Sequence, residues 1–297
     1  MTTQDLHSPP PADDLASLEA GLDALETHEV QRGPRAAKLW GATWPPLVFL
    51  AVLVGIWQSV YSAHVLEAYQ LPSPNDVLTS LRDQWAEGDL QKAAYNSIRR
   101  GGLGFLASLA IATPLGLLVG RVRPVRRAVG PILSGLQSLP SVAWVPAAIL
   151  WFGLSDATVY FVVLLGAVPS IANGMVSGLD QVPPLYLRVG RVLGARGLAN
   201  ARHVLLPAAL PGYVGGLRQG WAFAWRSLMA AELVAHSPEL GLGVGQLLDA
   251  ARLNADIAGI FAGIFTILVI GIAIELCLFA PLERRVLRRR GLVAATL

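Results

Sequence analysis

Charged side chains set inside long apolar runs are the residues of this sequence with the most chemistry to offer. Arg218, Arg226 and Glu232 interrupt an apolar stretch at 212–235, and Glu275 interrupts another that opens at residue 257. Other reactive constellations are missing. A phosphate-binding loop needs Gly-Lys-Ser/Thr, but Lys38 is followed by Leu39 and Lys92 by Ala93. There is no His-Glu-x-x-His and no Gly-x-Ser-x-Gly, and the histidines lie scattered at 7, 28, 64, 203 and 236. Cys277 is the single cysteine, which rules out an internal disulfide and a cysteine zinc cage. The expectation is a chain with no catalytic residues, no metal site and no cofactor of its own.

The setting of those charges decides their meaning. Only 14% of the 297 residues are Asp, Glu, Lys or Arg, and 54% are hydrophobic. Ordinary soluble domains carry about 25% charged residues. The mean hydropathy is +0.52 and the isoelectric point is near 9.3. Charge-free windows run over 39–66, 101–120, 128–155, 157–179 and 257–274. A bilayer crossing takes roughly 20 mostly apolar residues. Together with the interrupted stretch, these windows predict six transmembrane helices, at about 43–63, 101–120, 131–152, 157–178, 212–235 and 257–280. The runs lack the alternation of barrel strands, so the fold class expected is an all-α polytopic membrane protein. The basic residues form short clusters between apolar runs, which fits anionic lipid headgroups and not nucleic acid.

Arginine placement predicts the orientation. With the N-terminus cytoplasmic, the segments facing inward carry sixteen Lys or Arg and those facing outward carry five. Both termini are therefore expected in the cytoplasm. Residues 1–38 read as a cytoplasmic tail expected to lack order, whose first thirty residues hold seven acidic side chains and no basic one; 15–29 could form a short amphipathic helix. The tail has no apolar run of the signal-peptide type. Residues 39–290 read as the membrane domain and 281–297 as a basic cytoplasmic C-terminal tail. The outer loop 64–100 combines Leu71-Pro72-Ser73-Pro74 with an amphipathic stretch from Asn75 to Trp85.

Two regions stand out for function. Pro140 and Pro146 lie in one apolar window, where each removes a helical hydrogen bond and kinks the span. Backbone freed at membrane depth must face protein or a watery cavity. Gln137, Ser138, Pro140, Ser141, Trp144 and Pro146, with Trp225, Arg226 and Glu232, are accordingly the candidate lining of a path. Arg218 and Glu275 lie at similar depth and are expected to pair. Arg226 and Glu232 are six residues apart, on different faces of one helix. A partner for Arg226 must then be a passing anion or a carboxylate such as Glu232 of a second copy. Gly101, Gly102, Gly104, Gly116 and Gly120 read as close helix packing. The second region is the arginine-rich inner segment 185–206. Gly194 should break one helix, residues 196–203 form a second short one, and Pro207 start the next element. Such a segment suits docking of a soluble partner, or lying on lipid.

This inner segment resembles the signature of type I ABC importer permeases, in the nitrate, sulfonate and taurine branch. The family has Glu-Ala-Ala, three residues, Gly, nine residues, then Ile-x-Leu-Pro. Here Arg188-Val189-Gly190 occupies the first place, Gly194 is the glycine, and Val204-Leu205-Leu206-Pro207 closes the motif. The opening triplet departs from the family, whereas the spacing does not. Leu71-Pro72-Ser73-Pro74, the stretch Leu139-Pro140-Ser141-Val142-Ala143-Trp144-Val145-Pro146 with Trp151-Phe152-Gly153, and Gly216-Leu217-Arg218 with Ala224-Trp225 and Ala231-Glu232 are similar to further family segments. The likeness covers roughly residues 40–290.

What the resemblance implies is a MetI-like architecture and a transport subunit, not an enzyme. Gly194, Ala195, Arg196, Gly197, Leu198 and Ala199, with Leu206 and Pro207, would form the coupling segment seated on an ATPase. Two ATPase copies using ATP and Mg, a second permease copy (a homodimer), an extracytoplasmic substrate-binding protein and the lipid bilayer of a bacterial inner membrane are the implied partners. The cargo implied is a small oxyanion: an aliphatic sulfonate, taurine or nitrate. The rival reading is a secondary transporter or channel working without an ATPase. It would need an intramembrane carboxylate relay, for which only Glu232 and Glu275 are available.

Overall fold

The computed structural model describes residues 35–65, 67, 69–235 and 241–290. The tail through residue 34, with its expected helix at 15–29, and the segment beyond 290 lie outside them. The chain divides into two compact units, one ending at Val60 and one starting at Tyr61. In the first, helix α1 (Arg35–Ser62) runs through Pro45 and Pro46 and carries the first expected span. Its side chains from Leu47 through Leu53 are exposed, as a lipid-facing helix requires.

The second unit opens with a short, well-capped helix. In α2 (Pro74–Glu87) the Ser73 hydroxyl accepts from the Asp76 N–H while the Asp76 carboxylate accepts from the Ser73 N–H. Pro74 takes the first turn, where its missing N–H costs nothing, and Gly88 closes the helix at φ 85°. The amphipathic stretch expected after the proline-rich loop is this helix. Directly after it, α3 (Asp89–Arg121) runs 33 residues without a break, about 50 Å at 1.5 Å per residue. The expected loop 64–100 is thus largely helical, and Arg99 and Arg100 belong to the long helix.

Next come α4 (Arg123–Ser138), a 3₁₀ turn at Ser141–Trp144 and α5 (Val145–Phe152). The two helices were expected as one kinked span over 131–152. They meet instead at a 97° bend. Leu139 and Pro140 are extended, at ψ 127° and 121°, because a residue before proline is pushed out of the helical region and Pro140 cannot bond back. Pro146 does not kink anything. It sits in the first turn of α5, where no N–H is needed.

Helix α6 (Asp156–Asp180) is the centre of this unit, and Val162, Val163, Ala167, Ile171 and Ala172 on it are fully buried. It packs against α3 on one side and α9 (Leu206–Val234) on the other. Lipid supplies no hydrophobic drive between helices, so close approach of small residues must hold them. Gly174 and Gly178 face Gly216 and Gly212 so closely that a Cβ on Gly174 would overlap the Gly216 backbone. Gly116 of α3 meets the backbone of Ala172 in the same way. Of the five glycines expected to pack, Gly101, Gly104, Gly116 and Gly120 do, whereas Gly102 has open space around it.

The remaining elements are α7 (Pro184–Val192), α8 (Gly197–Asn200), α10 (Val244–Leu253), α11 (Ile257–Ile274) and α12 (Ala280–Arg289). Two π turns, Ala201–Leu205 and Glu275–Phe279, join α8 to α9 and α11 to α12 without a stop. Each precedes a proline, Pro207 or Pro281, and each is closed by an N–H bonded five residues back, Leu206 to Ala201 and Ala280 to Glu275. Widening the turn relieves the ring clash that proline imposes on an α-helix. The short helix expected at 196–203 is therefore not separate from α9 but its first turns.

Among the described residues, four helices are long and apolar enough to cross a membrane, five if the bent pair counts as one crossing. The expected sixth, α9, has the length but carries Arg218, Arg226 and Glu232. Six crossings are not established on length and composition.

The glycine crossing gives a direct test. Gly174→Leu should force α6 and α9 apart, an overpacking that costs about 1–3 kcal/mol or more. Thermal unfolding of the detergent-purified protein should show a lower midpoint, while Gly102→Leu leaves it unchanged.

Candidate functional site

The break between α4 and α5 borders a cavity of about 310 Å³. Gln137, Ser138, Pro140 and Ser141 line it from the break, and Arg226 lines it from α9 with Phe223. Five of the nine residues expected along a path therefore share one space. The break is tied to its neighbours by side chains: Ser227 of α9 donates to Ser141 at 2.7 Å, and Asn173 of α6 donates to Gln137 at 2.8 Å. Asn173, Ser227 and Phe223 were not foreseen, because only the fold brings three helices to this bend.

Arg226 is exposed to the cavity. Its Nε donates to the Ala222 carbonyl at 3.0 Å, and its guanidinium carbon lies 4.6 Å from the centre of the Phe223 ring. Among the described residues no carboxylate pairs with it. Placing an arginine at the middle of a span costs about 2.5–3.5 kcal/mol, and a cation–ring contact returns about 0.5–1 kcal/mol at an exposed site. The in-helix contacts leave the charge undercompensated. Water or an anion must supply the rest.

The four other expected path residues lie elsewhere. Trp144 is half-buried in the 3₁₀ turn and Pro146 is outside the cavity lining. Trp225 is buried, stacked on Trp221 at 6.2 Å, with its ring nitrogen toward Gly271. Glu232 is completely buried, and its environment explains why it cannot serve Arg226 of another copy. Its carboxylate accepts from Arg100 Nη1 at 3.2 Å, from the Ser97 hydroxyl at 2.7 Å and from the Gly245 N–H at 3.1 Å. Arg100, only 2% exposed, also bonds Asp156 at 3.0 Å. One cluster thus joins α3, the start of α6, the end of α9 and the start of α10. Arg100 is the residue that sequence reasoning missed. It looked like a loop charge because it stands at the edge of its apolar window.

The other pair matches expectation. Arg218 lies 2.5 Å from Glu275 and 3.2 Å from Glu283, joining α9 to the π turn and to α12. At the end of α6, Arg126 makes a two-pronged bond to Asp180 at 2.8 and 2.6 Å. The hydrogen bonds and charge of Asp180 raise the Arg126 pKa further.

The inner segment presents a distinct surface. Helix α7 ends at Val192, and Gly194 (φ 83°) and Gly197 (φ 53°) reverse the chain in the left-handed region that favours glycine. The Ala195 N–H closes the turn on the Gly190 carbonyl at 2.8 Å. Ala195, Arg196 and Ala199 lie with Gly194 around this reversal, and Leu206 and Pro207 follow where the π turn enters α9. Leu198 is in the helix, but its side chain is outside the described set. Val192 and Leu193, at 86% and 80% exposure, form an exposed apolar tip just before this reversal.

Comparison with known proteins gives a consistent family. Residues 112–288 match the family described as binding-protein-dependent transport system inner membrane component. A Bacillus subtilis protein named as an aliphatic sulfonates transport permease, SsuC, is 31% identical, covering 82% of this chain and 87% of the relative. The taurine transport system permease protein TauC of Escherichia coli is 30% identical, covering 80% and 86%. The nitrate import permease protein NrtB of a Synechocystis species is 29% identical, covering 77% and 84%. In fold, the chain is similar to a chain of the MetNI methionine ABC transporter in an inward-facing conformation, with a TM-score of 0.53 at 20% identity, covering 67% of this chain and 96% of that one.

The buried cluster predicts a non-additive response. Arg100→Leu leaves the Glu232 carboxylate without its cation and should cost about 3–5 kcal/mol of stability. Adding Glu232→Gln should restore most of it, read as recovery of the thermal midpoint in the double variant. Additive losses would show that the two side chains are not coupled.

Proposed function

This chain belongs to the family of binding-protein-dependent transport system inner membrane components and is the membrane-spanning permease subunit of an ABC importer; on that premise we propose that its cargo crosses at the bend between α4 and α5. The observation that carries this reading is the cavity at the bend, lined by Gln137, Ser138, Pro140, Ser141 and Arg226. Helices broken at membrane depth leave backbone groups that only a watery or protein-lined space can satisfy. The chain is a transport subunit, and ATP is hydrolysed by a separate ATPase.

The cargo proposed is a small oxyanion such as an aliphatic sulfonate, taurine or nitrate. Support comes from the relatives named above, which are named for such cargo. The partners proposed are two ATPase subunits, a second copy of this chain and a substrate-binding protein on the outer side. Both termini are proposed to face the cytoplasm, a reading that the arginine bias supports.

In this mechanism Gly194, Ala195, Arg196, Gly197, Leu198 and Ala199, with Leu206 and Pro207, form the coupling segment. The exposed Val192 and Leu193 tip would insert into the ATPase, and ATP-driven closure of the ATPase pair would push on it. No loop intervenes between α8 and α9, so displacement passes directly into α9. Arg226 lies twenty residues beyond Leu206 on that helix, about 30 Å along its axis. A rocking movement at the coupling segment would therefore open and close the cavity at the bend. The rival reading without an ATPase loses its relay: Glu232 is held by Arg100, and Glu275 by Arg218.

Two outcomes test the assignment. Gly194→Pro demands φ near −65° where the chain has +83°. It should leave membrane insertion intact and abolish co-purification with the ATPase, and retained ATPase binding with full transport would sink the coupling role. In a Cys277→Ala background, Arg290→Cys should react with an impermeant thiol reagent only from the cytoplasm, and Leu78→Cys only from outside.

A further inference from the structure

Resting on the path proposed above, we infer that Arg226 is the anion-selecting residue of this permease, its guanidinium binding the charged oxygens of the cargo inside the cavity at the bend. The cavity holds one cation and no acidic side chain: Arg226 lines it with Gln137, Ser138 and Ser141, and the remaining lining is apolar. The two contacts that Arg226 makes leave its fork available. Nε is committed to the Ala222 carbonyl, and one face rests over the Phe223 ring. Both Nη groups remain without a carboxylate among the described residues. A planar fork presenting parallel N–H donors matches two oxygens of a sulfonate, nitrate or carboxylate, which a lysine cannot grip in the same way.

What sets Arg226 apart is that it lines the cavity at the bend with polar side chains and without a carboxylate, unlike the arginines held in ion pairs. Arg100, Arg126, Arg218 and Arg252 each bind a carboxylate of the same chain. Arg226 stands on the same helix as Glu232, yet Glu232 turns to Arg100. The Phe223 ring and the in-helix bond steer the guanidinium without neutralising it. Neighbouring side chains add hydrogen-bond capacity and no competing negative charge, so a cation would be repelled here and an anion drawn in. The cargo class that follows is a small anion with at least two oxygens on one centre, and neutral or cationic solutes are disfavoured.

The test uses the full chain assembled with its ATPase in phosphatidylcholine vesicles, carrying Cys277→Ala and Ser138→Cys. Ser138 lines the cavity and is exposed. The probes are two methanethiosulfonates, one with an anionic 2-sulfonatoethyl group and one with a cationic 2-trimethylammonioethyl group. Each transfers its thioalkyl group to the cysteine thiolate and releases methanesulfinate. With Arg226 present, the anionic reagent should react faster than the cationic one, and Arg226→Gln should lower that ratio about tenfold, as expected for one unit charge a few ångströms away. Sodium methanesulfonate, but not sodium chloride at equal ionic strength, should slow labelling only when Arg226 is present. Arg226→Lys should keep the charge preference and lose most of the methanesulfonate protection, which separates a binding role from misfolding. If both reagents react and their ratio does not change with Arg226→Gln, the path stands and the anion site is overturned. That same result would follow if a lipid phosphate neutralised the guanidinium. If neither reagent reaches the thiol, the cavity is not a path and both readings fall.

Discussion

A carboxylate buried in a membrane protein has to be answered inside the protein, and the bond between Arg100 and Glu232 is where this fold meets that demand. Neither side chain reaches water: Arg100 is 2% exposed and Glu232 is 0% exposed. Each ion alone would carry a desolvation penalty of several kcal/mol, so the pair exists only because the geometry is nearly complete. Ser97 and the Gly245 N–H take further lone pairs of the carboxylate, while Asp156 takes the Arg100 Nε. Four helices, α3, α6, α9 and α10, are thereby held at one point. With that end pinned, the glycine contacts between α6 and α9 can bring their backbones together without any hydrophobic drive.

The same rule explains why Arg226 differs. Arg100 and Arg218 satisfy their charges on carboxylates of the same chain, whereas the bend at Leu139–Pro140 keeps a cavity open beside Arg226, which has no carboxylate partner among the described residues. Proline supplies the opening because it breaks α4 by both means available to it, a missing N–H and a restricted preceding residue. Ser141 to Ser227 and Gln137 to Asn173 then hold the broken end against α9 and α6. A cavity of fixed shape with a cation at its edge is a property of this arrangement, not of any one helix.

Continuity of the backbone links this region to the inner surface. The π turns before Pro207 and Pro281 absorb the prolines that would otherwise break two long helices. Rigid connection of α8 to α9 is what a lever needs, and the left-handed glycines at 194 and 197 form the tight reversal at its tip. Arg218, bound to Glu275 and Glu283, ties the lever to the last helix.

The all-helical membrane class, most of the apolar segments, the Arg218–Glu275 pair and the glycine-marked inner segment were legible from residue types and spacing. These are local properties: hydropathy over one helix, depth along a helix axis, and the backbone freedom of single residues. Facing Gly174-x-x-x-Gly178 and Gly212-x-x-x-Gly216 pairs were also present in the sequence as a packing signal and were passed over. Tertiary structure alone decided the rest. It turned one expected span into a 97° bend, because the angle after a proline depends on what the next segment packs against. It moved Glu232 from the candidate path to the buried cluster, since its partner Arg100 lies 132 residues away and no spacing rule reaches that far. It also left Arg226 facing the cavity at the bend, because an unpaired charge is defined by the absence of neighbours, and only the folded chain determines who the neighbours are.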